Sequence, residues 1–168
     1  NIAEHCGGII GKAKNQNYYD DSEVQIYNCS VTTTSVDGYS IGKWGGGIVG
    51  QYFGASSSNI SIIENCYSEG LIGEAAGGIC GYQAGYNGNV QIYNCYSTGD
   101  ISGDSANKKG GGGICGTQAG HGGGNVQIYN CYSTGEINIS AGGICGQYAG
   151  HNGNVEIYNC YSISVFFF

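Results

Sequence analysis

Apolar and polar residues alternate one for one in five short stretches of this chain. The stretches align on the Asn of a recurring Asn-Cys pair: Asn28, Asn65, Asn94, Asn130 and Asn159. Two places earlier stand Ile26, Ile63, Ile92, Ile128 and Ile157, and four places earlier Val24, Ser61, Val90, Val126 and Val155. The intervening columns hold Gln25, Ile62, Gln91, Gln127, Glu156 and Tyr27, Glu64, Tyr93, Tyr129, Tyr158. Successive side chains of a strand point to opposite faces, so this alternation predicts strands with Val and Ile inward and Gln and Tyr outward. Helix is excluded: β-branched residues and Gly dominate, and no helical period appears.

A glycine clasp precedes each strand. It reads GGIIG at 7–11, GGIVG at 46–50, and GGICG at 77–81, 112–116 and 142–146. Clasps starting at 7, 46, 77, 112 and 142 are spaced by 39, 31, 35 and 30 residues. The chain therefore divides into five repeats, 1–44, 45–76, 77–111, 112–141 and 142–168, forming a single array. Spacing varies where Ser, Gly, Asn and Lys accumulate, which places the insertions in surface loops. Like strands with like connections favour an all-β parallel β-helix (β-solenoid) over an antiparallel sandwich. The expected fold has about one coil per 30–39-residue repeat, a right-handed course, and coils roughly 4.8 Å apart. Each residue then lies over its own copy, and Asn28, Asn65, Asn94, Asn130 and Asn159 become an internal amide ladder at a bend.

Composition adjusts this picture at a few points. The 34 glycines sit at fixed repeat positions rather than in a collagen period, so they mark turns and close backbone approaches. Net charge is −7, and the five cationic side chains are all Lys, which argues against nucleic acid as a partner. No apolar run approaches the roughly 20 residues of a membrane span, so a membrane-spanning chain is not expected. Phe166, Phe167 and Phe168 are too few to span; they suit a cap, an assembly contact or the end of a fragment. A start at Asn1 instead of Met reads as a processed protein or a piece of a longer one.

The order GGIVG or GGICG followed by IIENCYSEG or IYNCYSTGDI resembles the GLUG-type repeat of large surface proteins, which include bacterial adhesins. The similarity covers nearly the whole chain. It implies an extracellular or cell-surface, stalk-like module without catalysis. This chain departs from that pattern in Cys80, Cys115 and Cys145 of the clasp and in the Tyr column before Asn.

Nine cysteines raise two readings. Clasp and strand cysteines could bridge as Cys80–Cys95, Cys115–Cys131, Cys145–Cys160 and Cys6–Cys29, leaving Cys66 over. Alternatively, Cys is a small buried apolar residue, exchangeable with Val49 and Ile10. Zinc is disfavoured because no CxxC or Cys/His spacing recurs. His121 and His151 occupy a position held by Tyr86, which suits aligned loop rings better than a ligand or base. No cofactor is expected, apart from weak calcium binding at Asp20, Asp21 and Glu23, and a solvated loop is the plainer reading of those acids. Asn59-Ile60-Ser61 and Asn138-Ile139-Ser140 are glycosylation sequons, giving Asn59 and Asn138 as candidate sites.

Two functions compete. The first is a structural, non-catalytic subunit or segment of an extracellular filament or adhesin stalk, joined to itself head to tail through uncapped solenoid ends. The second is a module that binds glycan or a surface through an outward stripe of Tyr27, Tyr93, Tyr129 and Tyr158 beside Gln25, Gln91 and Gln127. Enzyme activity is not expected: there is no Arg and no distinctive acid cluster. Ice binding lacks the regular Thr rows it needs.

Overall fold

The computed structural model describes residues 1–12, 23–32, 40–103 and 109–164. Asp20, Asp21, Phe166, Phe167 and Phe168 lie outside the described residues. The described residues contain short strands and no helix. Every strand pairing is parallel, and strands from successive repeats lie side by side in register. The result is all-β, with parallel strands in stacked sheets, consistent with a solenoid-like fold.

Numbering the strands in chain order, the first sheet runs β1 (Gln25–Tyr27), β4 (Ile60–Glu64), β7 (Asn89–Tyr93), β9 (Asn125–Tyr129) and β11 (Asn154–Tyr158). A second sheet runs β2 (Ser30–Val31), β5 (Tyr67–Ser68), β8 (Tyr96–Ser97), β10 (Tyr132–Ser133) and β12 (Tyr161–Ser162). The third pairs β3 (Ser40–Ile41) with β6 (Leu71–Ile72) and continues as single bridges through Ile101 and Ile137. The third sheet also takes in Ile2, bridged to Ile41, so the layers begin at Ile2, Ile41, Ile72, Ile101 and Ile137, each ahead of its clasp, and each layer gives one strand or bridge to each sheet.

Register follows the sequence columns. Ile26 pairs with Ile63, Ile63 with Ile92, Ile92 with Ile128 and Ile128 with Ile157. The clasps align as well, Gly46 with Gly77 and Gly77 with Gly112. A one-residue slip would carry the whole Val/Ile set to the solvent side, which is why the alternation fixes the pairing. Val90, Ile92, Val126 and Ile128 are buried while Gln91, Tyr93, Gln127 and Tyr129 lie half-buried on the other face. Ser61, in the Val column, is buried without becoming an orphan: its hydroxyl accepts from the Val24 amide at 3.3 Å.

Two apolar clusters form the interior. The larger joins the Ile and Val of the first sheet with Ile48, Ile79 and Ile114 of the clasps and with Cys66, Cys95 and Cys131. The smaller is a column of Ile41, Ile72 and Ile101 along the third sheet, flanked by Ala76.

The clasp glycines are dictated by contact across this interior. Ser97 Oγ donates to the Gly113 carbonyl at 2.6 Å, and Ser133 Oγ donates to that of Gly143 at 2.6 Å. A Cβ on Gly78 would collide with the Gly113 carbonyl and with Ser97, and one on Gly113 with the Gly143 carbonyl and Ser133. The second sheet and the clasp lie too close together for any side chain at that position.

Candidate functional site

The Asn-Cys corner is the most regular polar feature of the described residues. Asn28, Asn65, Asn94, Asn130 and Asn159 all adopt φ between 50° and 56°, the left-handed region that Asn tolerates better than other side chains bearing a Cβ. Each of the middle corners is tied to its neighbour. Asn65 Nδ2 donates to Asn28 Oδ1, Asn94 Nδ2 to Asn65 Oδ1 and Asn130 Nδ2 to Asn94 Oδ1, each at 3.2 Å. The expected ladder therefore exists, but it is not internal. All five Asn are exposed, because a left-handed bend turns the side chain outward at the corner between the first and second sheets.

The cysteine that follows turns inward, and its column answers the question left open by spacing. All nine cysteines are free thiols. The pairings Cys80–Cys95, Cys115–Cys131, Cys145–Cys160 and Cys6–Cys29 are absent. Cysteines lie over cysteines instead. Cys95 N–H points at Cys131 Sγ at 3.4 Å, and Cys131 N–H at Cys160 Sγ at 3.4 Å. Each thiol also donates to the carbonyl two residues before it, Cys95 to Tyr93 at 3.1 Å and Cys131 to Tyr129 at 3.2 Å. At this bend the backbone amide is turned away from the regular ladder, and a small apolar side chain with weak donor and acceptor character satisfies it. Clasp cysteines continue the Ile10–Val49 column as Cys80, Cys115 and Cys145.

These thiols are poorly suited to nucleophilic work. Hydrogen bonds with Cys131 and Cys66, and then burial, push the Cys95 thiol up. The bond with Cys95 draws Cys66 down to about 7 and lowers Cys131, but both side chains are fully buried.

Outside the corner, aromatic rings stack. Tyr93 and Tyr129 lie with centroids 5.2 Å apart and planes 10° from parallel, and Tyr129 and Tyr158 repeat this at 5.2 Å and 8°. Tyr27 does not join them, since Glu64 occupies the intervening layer. Beside this stripe Gln91 Nε2 donates to Gln127 Oε1, and Gln127 Nε2 to Glu156 Oε2, each at 2.8 Å. Gln25 stands over Ile62 and instead accepts from the Tyr27 hydroxyl at 2.9 Å.

A second column of rings follows the Asn-Cys pair. Tyr67, Tyr96, Tyr132 and Tyr161 stack at 4.7, 4.9 and 5.1 Å with planes within 4° of parallel. The signal was present in the Tyr that follows Asn-Cys in four repeats. A third column carries Tyr86, His121 and His151 at 5.6 and 5.2 Å. Burial, and then the neighbouring His151, lower the His121 pKa.

Of the remaining candidates, Glu23 and Asn59 border the Gln column and Asn138 lies elsewhere. Glu23 hydrogen-bonds the Gln25 amide, and no group of three His, Cys, Asp or Glu suited to a metal occurs among the described residues. Asn59 is exposed at the rim of an open hollow that Glu23, Ile62 and Gln91 also line. Asn138 is exposed on another loop. No helix of the described residues is long and apolar enough to cross a membrane. Comparison with family models, with curated proteins and with solved structures finds no match to this chain.

Proposed function

We propose that the chain is a right-handed parallel β-helix, one coil per repeat, serving as a structural segment of an extracellular filament or adhesin stalk. The observation that carries this reading is the stacking of like on like in most columns. Ile, Asn, Cys, Tyr and the clasp glycines each continue from layer to layer in register. A surface spent on repeating itself along one axis suits extension better than a single reactive centre. The hand follows the strong right-handed preference of parallel connections. The GLUG-type resemblance of the clasp and the Asn-Cys-Tyr strand favours the same role and location.

Self-extension has a physical basis at the edges of the sheet. β1 and β11 are its outer strands among the described residues, so each leaves backbone groups on one side for another parallel strand. On the β11 side Ile157, Tyr158 and Tyr161 are 45%, 50% and 52% exposed. A further layer, from a second copy, would cover them with Ile26, Tyr27 and Ser30 in the same register. Such heterologous contacts do not close and therefore give filaments.

Electron microscopy of the protein over a range of concentrations tests this reading. Rods whose length grows with concentration are expected, and Ile157→Lys, which places a charge on the open edge, should shorten them. Uniform short particles at every concentration would sink head-to-tail assembly.

The glycan reading draws less support. Sugar rings dock on aromatic faces, and here the faces of Tyr93 and Tyr129 are turned to each other, leaving edges and hydroxyls outward.

A further inference from the structure

The second tyrosine column is the most parallel stack of rings among the described residues. Four phenols, one per layer, lie parallel within 4° at 4.7 to 5.1 Å. Tyr67, Tyr96 and Tyr132 are half-buried and Tyr161 is exposed, so the column faces solvent along its length. Their partners on the same strands, Ser68, Ser97 and Ser133, point inward and hold the clasp carbonyls, which fixes the strand and the ring on its other face. Neighbouring phenols are thus held close, in a reproducible arrangement, where a reagent in solution can reach them.

We infer that Tyr67, Tyr96, Tyr132 and Tyr161 form a site of oxidative cross-linking, in which a peroxidase-type one-electron oxidant joins phenols of successive layers through carbon–carbon bonds. Each phenol of a pair gives up one electron and its hydroxyl proton. The two phenoxyl radicals couple through ring carbons ortho to oxygen. Each coupled carbon then releases its hydrogen as a proton while its oxygen takes one back, which restores two phenols. One hydrogen peroxide accepts the two electrons and two protons and leaves as two waters. Each bond closes a loop one repeat long, so the column becomes a covalent lace that ties layer to layer and opposes peeling from the ends. This inference concerns bonds within one copy and stands whether or not copies join end to end.

The molecule supplies its own controls. Tyr52 and Tyr82 meet edge-on at 6.3 Å and 73°, with Tyr52 buried, so they should not couple. Tyr27 is separated from Tyr93 by Glu64 and should not couple either. The Tyr93–Tyr129–Tyr158 column, wider at 5.2 Å and less parallel, should couple more slowly.

The test treats the dilute 168-residue chain with a peroxidase and hydrogen peroxide, and maps linked peptides by mass spectrometry. Expected are biaryl fluorescence, a band still at monomer size, and links Tyr67–Tyr96, Tyr96–Tyr132 and Tyr132–Tyr161, each lighter by two hydrogens. Tyr96→Phe keeps the stacked ring and should leave only the Tyr132–Tyr161 link of the three, while Tyr132→Phe should leave only Tyr67–Tyr96. Chain unfolded in denaturant should lose the selectivity. The inference is overturned by links that include Tyr52 and Tyr82 equally, by links only between copies, or by oxidation that ends in hydroxylated tyrosine or in disulfides.

Discussion

The middle layers and the layer of β11 share nearly one strand sequence but not one environment. Ile92 and Ile128 are fully buried, whereas Ile157, their copy in β11, is 45% exposed. Val90 and Val126 are closed off, while Val155 is only half-buried. The strands differ by one residue, Asn-Val-Gln-Ile-Tyr against Asn-Val-Glu-Ile-Tyr, so composition does not explain the gap. The neighbour on each side does. A layer here has no core of its own; its apolar face is covered by the layers above and below, as in other stacked repeats. Stability should therefore fall toward the open edge, and a change should matter most where two neighbours depend on it.

The sharpest test of that contrast lies in the clasp. Gly113→Ala should cost about 3 kcal/mol or more, since the new Cβ meets the Gly143 backbone and Ser133. Gly11, in the first layer, has nothing near its would-be Cβ, and Gly11→Ala should change the thermal midpoint little. Equal losses from the two would show that the clasp is not gripped between layers.

Next in size is the Ile column. Ile128→Ala should destabilise by about 2–5 kcal/mol in chemical denaturation. Ile157→Ala should cost about half as much, because much of its side chain is already in water. If dilution or concentration alters only the second value, a further copy is covering the edge.

The Asn ladder allows a finer comparison. Asn94→Gly keeps the left-handed backbone and removes two amide bonds, those to Asn65 and from Asn130. A loss of about 1 kcal/mol is expected, and Asn94→Ala should add a further ~1 kcal/mol for forcing a Cβ into that conformation. The same pair at Asn159, in the edge layer, should show the conformational part with a smaller ladder part.

The smallest expected effect is a pH dependence in the loop column. His121 has its pKa lowered from the usual 6.5 by burial and by His151, so the unfolded chain takes up the proton more readily. Stability should be complete above that value and decline as pH falls through it. His121→Tyr, which copies Tyr86 of the preceding layer, should flatten the thermal midpoint over this window. An unchanged slope would place the titration elsewhere.

Much of this architecture was legible before any coordinates. Alternation about the Asn-Cys pair gave the strands, their inward face and the Ile26–Ile63–Ile92–Ile128–Ile157 register, because a period of two admits only one buried set. Three features were read incompletely or wrongly. The Asn ladder was expected inside and lies outside. Cysteines were left with two readings, bridges across the layer or small buried apolar residues, and they are free thiols stacked between layers. The Tyr67–Tyr96–Tyr132–Tyr161 column lies on strands of only two residues after the Asn-Cys pair, too short to show an alternation.

All three turn on the same event, the left-handed bend at Asn. Sequence alone determined what repeats and what alternates, since those are properties of neighbours along the chain. Only the tertiary structure decided where the chain turns its corner, and so whether Asn, Cys and Tyr face water, the interior or one another. A bend of one residue redirects every side chain after it, and its angle is set by hydrogen bonds to the adjacent layers, which lie about thirty residues away in the sequence.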